Sequence, residues 1–147
     1  MSTEAVGHGT HCSCVALGNN ALLITGASGS GKSTLAVEMI ALGCRLVADD
    51  YVELVRCEDT LIAAAPQKTA GLIEAHGIGI LKADHQSNAV VRYIVDLDEP
   101  PKARLPASAT RNMLGLDLEL IAGHGIHALA SKLVILLKGA RLPVAPA

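Results

Sequence analysis

Residues Gly26 to Ser33 read Gly-Ala-Ser-Gly-Ser-Gly-Lys-Ser, a complete run of the form G-x-x-x-x-G-K-[ST]. A chain with this run has few folds open to it, because almost every position has a physical task. Gly26, Gly29 and Gly31 let the backbone bend until its N–H groups converge on anionic oxygens. Lys32 brings a compact positive charge to the outer phosphates of a triphosphate, and Ser33 offers a hydroxyl to Mg²⁺. The flanks agree. Ala21 to Thr25 is a short apolar run suited to a buried strand, and Ser33 to Leu42 has the pattern of a helix. Such a helix aims its positive N-terminus at the anion. The other reading, a glycine-rich strand-to-helix turn with an accidental lysine, must explain every fixed position as chance. The nucleotide-binding candidates are therefore Gly26, Ala27, Ser28, Gly29, Ser30, Gly31, Lys32, Ser33 and Thr34, with ATP and Mg²⁺ as the cofactors they suit.

The 147 residues suffice for one ordinary domain, read here as 1–147 with flexible ends at about 1–8 and 140–147. Half the chain is apolar, yet Phe and Trp are absent and Tyr occurs twice, so the core must come from Leu, Ile, Val and Ala. A formal charge of −2 without a Lys/Arg cluster speaks against a nucleic-acid partner. No apolar stretch approaches the roughly 18 residues that span a bilayer. The start, Met1-Ser2-Thr3-Glu4, lacks the basic and apolar regions of a secretion signal, so a cytoplasmic location is expected.

Cysteines stand at 12, 14, 44 and 57. His8, His11, Cys12 and Cys14 have spacings that can hold zinc, but Cys12 and Cys14 would share one face of a strand and no second cluster completes a site. The expectation is buried, reduced thiols.

The remaining elements are short. Val15-Ala16-Leu17 and Ala21 to Thr25 flank Gly18-Asn19-Asn20, a hairpin turn. Arg45 to Ala48 reads as a strand after the loop helix, and Tyr51 to Val55 with Thr60 to Ala64 as a hairpin turned at Glu58-Asp59. Ala89 to Leu97 is a long strand candidate, broken by Asp98-Glu99-Pro100-Pro101, with a loop running to Pro106. Met113 to Ile121 alternates well enough for one further strand. Ile126, Leu129, Leu133 and Leu136 recur at helical spacing, which predicts a closing helix over Ile126 to Lys138.

Asp49-Asp50 follows the strand that succeeds the loop helix. Phosphoryl transfer to an alcohol needs a metal on the phosphates and a carboxylate to take the hydroxyl proton, and two adjacent carboxylates can divide those jobs. Asp-Asp is also a common turn pair. Its place after the phosphate loop favours the functional reading.

His11, a strand hairpin, Gly26 to Ser33 and then Leu46-Val47-Ala48-Asp49-Asp50 together resemble the catalytic domain of HPr kinase/phosphorylase. Leu72-Ile73-Glu74-Ala75-His76-Gly77-Ile78-Gly79-Ile80 is similar to that family's signature, an acidic residue followed by Arg-Gly-hydrophobic-Gly. The likeness covers Gly9 to Leu81 and thins beyond it; the short form resembles a version found in some alpha-proteobacteria. It implies an α/β, phosphate-loop NTPase-like domain of the HPr kinase and PEP carboxykinase kind, with strand hairpins around the phosphate-loop helix. It also implies a protein-serine kinase acting on an HPr-type phosphocarrier, able to run in reverse with inorganic phosphate to give pyrophosphate, and assembled as hexamers.

By position the resemblance makes Asp49 the base, Asp50 its assistant through Mg²⁺ beside Ser33, His11 a neighbour that orients the acidic pair, and Lys32 a phosphate contact. Arg104 falls near a family arginine that contacts the phosphates. His8, His85, His124 and His127 have no identifiable partner. There are departures too. His76 stands where the family has arginine, Thr34 replaces an acidic residue, and Lys82 to Asn88 is shorter than the family's mobile loop. These changes surround the phosphate acceptor and metal, so kinase chemistry is expected to persist and the reverse reaction to be weak. A nucleotide-dependent switch that transfers nothing, or a small-molecule kinase, are the competing classes.

Overall fold

The computed structural model describes residues 6–139, 141 and 142. The expected flexible ends lie mostly outside these residues, but Val6–Thr10 forms a first strand, β1. The chain then runs through a hairpin of β2 (Ser13–Leu17) and β3 (Asn20–Thr25), turned at Gly18-Asn19, into the phosphate loop. Helix α1 (Lys32–Ala41) follows, then β4 (Arg45–Ala48) and a second hairpin of β5 (Val52–Cys57) and β6 (Thr60–Ala64). A small two-stranded sheet of β7 (Leu72–Ala75) and β8 (Gly79–Lys82) stands apart. The long strand β9 (Asn88–Asp96), a third hairpin of β10 (Thr110–Met113) and β11 (Leu116–Ala122), and helix α2 (Leu129–Leu137) complete it.

Nine strands form one mixed sheet in the order β1-β5-β6-β9-β3-β2-β4, with β11 also on β9 and β10 on β11. Strand β9 is the spine. One edge pairs in parallel with β3 along Val90 to Asp96; the other pairs antiparallel with β6 through Asn88 to Val90 and then in parallel with β11 through Tyr93 to Asp96. A strand of nine residues can carry two partners end to end on one edge, and there the sheet forks.

At β3 both faces of the sheet are buried, which is why Ala21 to Ile24 reads as a continuous apolar run instead of an alternating one. Successive residues still point to opposite faces. Leu22 and Ile24 join a cluster with Leu35, Met39, Leu133 and Leu137 beneath the two helices. Ala21 and Leu23 join Cys14, Val47, Leu54 and Leu61 on the other side. Both clusters are built from aliphatic side chains, as a chain without Phe or Trp requires.

Two expectations need correction. Met113 to Ile121 is not one strand: Leu114 and Gly115, with φ of 53° and 88°, form a two-residue turn that folds β10 back on β11. Positive φ at both centres is the turn geometry that matches strand twist, and Arg56 braces it by donating from Nη1 to the Leu114 carbonyl at 3.0 Å. The closing helix begins at Leu129, not Ile126, because Ala128 takes a left-handed conformation, φ 54°, just before it. Substituting Gly115 by Ala puts a side chain at φ 88° and against the Arg56 guanidinium. Urea unfolding is expected to show a loss of about 1–3 kcal/mol; an unchanged midpoint would contradict the turn.

Candidate active site

Helix α1 begins at Lys32, one turn of chain after β3 ends, so the loop has to reverse within a few residues. Gly26, Gly29 and Gly31 make this possible, with φ of 153°, 83° and 100°. A Cβ on Gly29 or Gly31 would meet nothing within 4 Å, so the loop encloses open space on those sides. The Ser30 Oγ is buried and has no hydrogen-bond partner. Lys32 Nζ donates to the carbonyls of Gly26 at 2.8 Å and Ala27 at 3.1 Å, which folds the ammonium over the loop. An open glycine-lined concavity, a helix N-terminus, a lysine amine and a spare hydroxyl are chemically suited to a chain of phosphates.

Asp49 sits at the end of β4, facing this loop. Its Oδ1 accepts hydrogen bonds from Ser33 Oγ at 2.7 Å and from Ser13 Oγ at 2.9 Å, and its Oδ2 accepts only a long one from the Glu74 N–H at 3.4 Å. Ser13 is fully buried, so its hydroxyl has little besides this carboxylate to bond. Four elements, β2, α1, β4 and β7, thereby meet on one side chain.

Asp50 behaves differently. The Tyr51 N–H donates to the Asp49 carbonyl at 2.8 Å, closing a three-residue turn with Asp50 at its centre and φ 68°. This is a rare and strained backbone state, of the kind that clusters at functional positions. It turns neighbouring carboxylates apart: Asp49 is half-buried and Asp50 is exposed. Ser33, expected to share a metal with Asp50, meets Asp49 instead. His11 lies beside the pair, where the family resemblance puts it, its Nδ1 donating to the Asp50 carbonyl at 3.3 Å. Its ring meets that of Tyr51 edge to face at 5.4 Å. The Tyr51 ring packs directly on Gly9, where no Cβ would fit, and so ties the site to β1.

The other expected residues fall as follows. Glu74 and His76 belong to the β7–β8 hairpin, and His76 is exposed at its turn. Arg104 is exposed on the loop after β9. Cys12 and Cys14 are buried core thiols, and among the described residues no group of three or more His, Cys, Asp or Glu could hold a metal. Burial pushes Cys12 up to about 12, Lys32 pulling slightly the other way, and burial with the neighbouring Cys12 raises Cys14 as well. Neither thiol is a nucleophile near neutral pH.

Sequence reading missed a second group at the strand ends. Arg111 donates to the Asp96 carboxylate at 2.6 Å and to Thr25 Oγ1 at 3.4 Å. Burial pulls the Asp96 carboxyl upward, but the Arg111 guanidinium and the Asp98 N–H outweigh it and hold the group below its usual value. Asp98 in turn accepts the Ala27 N–H at 2.7 Å. One amide of the phosphate loop thus already holds an anion from the chain itself. The only sequence signal was an Asp-x-Asp run at the end of β9, which also reads as a strand terminator.

Residues 1–90 match the family model described as HPr serine kinase C-terminal domain. The chain is 35% identical over 137 residues to the HPr kinase/phosphorylase of Xylella fastidiosa (strain M12), covering 82% of this chain and 42% of that protein. It is 34% identical over 137 residues to the HPr kinase/phosphorylase of Stenotrophomonas maltophilia (strain K279a), with the same coverage of 82% and 42%. The chain therefore spans about two fifths of the length of these relatives. Among solved structures, the Hpr(Ser) kinase/phosphatase from Coxiella burnetii matches with a TM-score of 0.76 and 26% identity, over 90% of this chain and 89% of that one. The likeness extends beyond the matched family segment and includes the mixed α/β sheet.

The Asp98 contact is open to measurement. Replacing Asp98 by Asn removes an anion that competes for the Ala27 amide. Binding of inorganic tripolyphosphate is expected to tighten about three- to ten-fold, or roughly 0.7–1.4 kcal/mol. Unchanged or weaker binding would show that this carboxylate does not compete with the ligand.

Proposed function

The chain belongs to the HPr serine kinase C-terminal domain family, and we propose that it is a phosphate-loop NTPase-like domain that uses Mg²⁺ and ATP to phosphorylate a serine of an HPr-type carrier protein. The observation that carries this reading is Asp49, a half-buried carboxylate that accepts two serine hydroxyls at the mouth of the phosphate loop. A carboxylate so arranged is built to receive a hydroxyl proton.

Bound Mg²⁺ and ATP would supply the phosphoryl group and neutralise its charge. The backbone from Gly26 to Ser33 would hold the phosphates, and Thr34 would extend that contact along the first turn of α1. Lys32 would exchange the Gly26 and Ala27 carbonyls for phosphate oxygens. Ser33 would turn its hydroxyl from Asp49 to the metal, with Asp50 acting on that metal from the exposed rim. Asp49 would take the proton of the acceptor serine on Oδ2, the oxygen that now carries only the long Glu74 contact. His11 would brace the acidic pair through the Asp50 carbonyl.

A single domain over 1–147, a cytoplasmic setting and assembly into hexamers belong to the same proposal, supported by the family. Among the described residues no helix is long and apolar enough to cross a membrane. The reverse reaction is proposed to be weak. His76, at an exposed hairpin turn, lacks the permanent, forked charge that an arginine offers a phosphate.

The test is transfer of labelled γ-phosphate from ATP and Mg²⁺ to the HPr-type protein of the same organism. Transfer to one serine is expected, falling at least about 100-fold in Asp49→Ala while nucleotide affinity stays within a few-fold. Intact nucleotide binding with no transfer would replace the kinase by a nucleotide-dependent switch. With the phosphorylated carrier and inorganic phosphate, little or no pyrophosphate is expected. Its ready formation would refute the proposed weakness of the reverse reaction.

A further inference from the structure

Among the described residues, Ser13 is the one polar residue enclosed in the core, with no exposed surface. Alanine or valine would bury there without a polar atom to satisfy, so a hydroxyl at this position needs an acceptor close by. The acceptor is Asp49 Oδ1 at 2.9 Å. The faces of β2 alternate: Cys14 and Ala16 join the cluster on the far side, and Val15 joins the cluster beneath the helices. Ser13 falls on the Val15 side, where Ser33 of α1 reaches the same carboxylate oxygen at 2.7 Å.

A bulge brings these groups together. Along the antiparallel pairing of β2 with β4, Val15 stands opposite Leu46 and Cys14 opposite Ala48, so Val47 is an extra residue with no counterpart on β2. In an even ladder Ala48 would face Ser13, and Asp49 would fall one place further, opposite Cys12. With Val47 inserted, the next position outward from Ala48 is Asp49 and the next from Cys14 is Ser13. Opposite residues of an antiparallel pair have side chains within reach of one another on one face. On its other edge Ser13 is fixed by β3, through its pairing with Ile24. The Ser13 hydroxyl therefore has one place to be, whereas Ser33, at the partly exposed start of α1, has a second destination in the ligand.

Resting on the kinase reading above, we propose that Ser13 is a positioning residue that keeps Asp49 a proton acceptor when Ser33 leaves it. In the structure Oδ1 holds both hydroxyls, and Oδ2 holds only the long Glu74 contact. Once Ser33 turns to the metal, Ser13 makes the remaining short bond to Oδ1. It pins that oxygen to β2 and leaves Oδ2 as the basic oxygen towards the acceptor serine. Without Ser13 no short bond holds the carboxylate back, and the strongest attraction on it is the cation that Ser33 serves. A carboxylate on a divalent cation is held in its ionised form and is a poor base. Ser13 thus decides between two uses of one side chain, base or metal ligand. Enclosed as it is, it does so without touching nucleotide, metal or acceptor.

Substitutions at this one position separate positioning from packing. Ser13→Ala removes the hydroxyl, Ser13→Cys keeps the size with a weak donor, and Ser13→Thr restores a hydroxyl on a residue type that suits strands. With labelled ATP and the HPr-type carrier, kcat is expected to fall about 10- to 100-fold in Ser13→Ala, with both KM values within about two-fold. The loss is expected to be smaller in Ser13→Cys and to be recovered in Ser13→Thr. Placed on top of Asp49→Ala, Ser13→Ala is expected to add no further loss, because a residue that acts through Asp49 has no effect once Asp49 is gone. A readout independent of turnover is the affinity for Mn²⁺ in the presence of a non-hydrolysable ATP analogue. It is expected to be at least about three-fold tighter in Ser13→Ala and unaltered in Ser13→Thr. Losses that multiply with Asp49→Ala overturn the proposal. So does a kcat in Ser13→Ala within about two-fold of the unaltered chain, or a Mn²⁺ affinity that stays the same or weakens. If Ser13→Ala fails to fold, the same criteria decide on Ser13→Cys. An unaltered chain that binds Mn²⁺ and the analogue yet transfers nothing is a different result, since it removes the kinase reading itself and, with it, the base that Ser13 serves.

Discussion

The candidate site depends on the Asp49 carboxylate. It is a charge drawn half out of water, and it is tolerable there because hydroxyls from Ser13 and Ser33 and an amide from Glu74 replace the lost hydration. Hydrogen bonds to a charged group are worth about 1.5–3 kcal/mol each, and the two short ones come from β2 and α1, with the long amide contact from β7 adding less. Each therefore has a reason to pack where it does beyond the burial of its own apolar residues. The same bonds hold the first turn of α1, and so the phosphate loop, at a fixed distance from the acidic pair.

Behind that carboxylate stands the sheet. Strand β9 aligns the ends of β3 and β11, and the alignment puts the phosphate loop, the Asp96 to Asp98 corner and the start of α2 at one edge. The aliphatic core suits this arrangement. Leu22, Leu23 and Ile24 are fully buried on alternating faces, so a one-residue slip of β3 would exchange two unlike clusters. The strand that carries the phosphate loop is thus held in register from both sides.

Much of this was legible in the chain. The glycines of the phosphate loop, the strand before it, the hairpins at Gly18-Asn19 and Glu58-Asp59 and the long apolar β9 carry local signals strong enough to be read without tertiary knowledge. The errors arose where tertiary contacts decide. Leu114 is a poor candidate for positive φ, and its turn exists because Gly115 follows it and Arg56 caps it from a distant strand. Strand β1 has two glycines in five residues and gains its place by pairing with β5 and by admitting the Tyr51 ring at Gly9. In the site, the acidic pair and His11 were visible as residue types. Which carboxylate turns inward was not, because that rests on a single strained turn at Asp50.

The β7–β8 hairpin has a consequence of its own. It pairs with no strand of the main sheet; its exposed apolar residues include Ile78 and Ile80, and Ile73 is its one fully enclosed side chain. A lone two-stranded ribbon has little stability in water, and its tie to the acidic pair is the long amide contact to Asp49. Its opening free energy is accordingly much smaller than that of the nine-stranded sheet. The wall beside Glu74 can come loose and re-form while the glycine loop keeps its shape, so the molecule is stiff at the glycine loop and compliant at the rim beside Asp49.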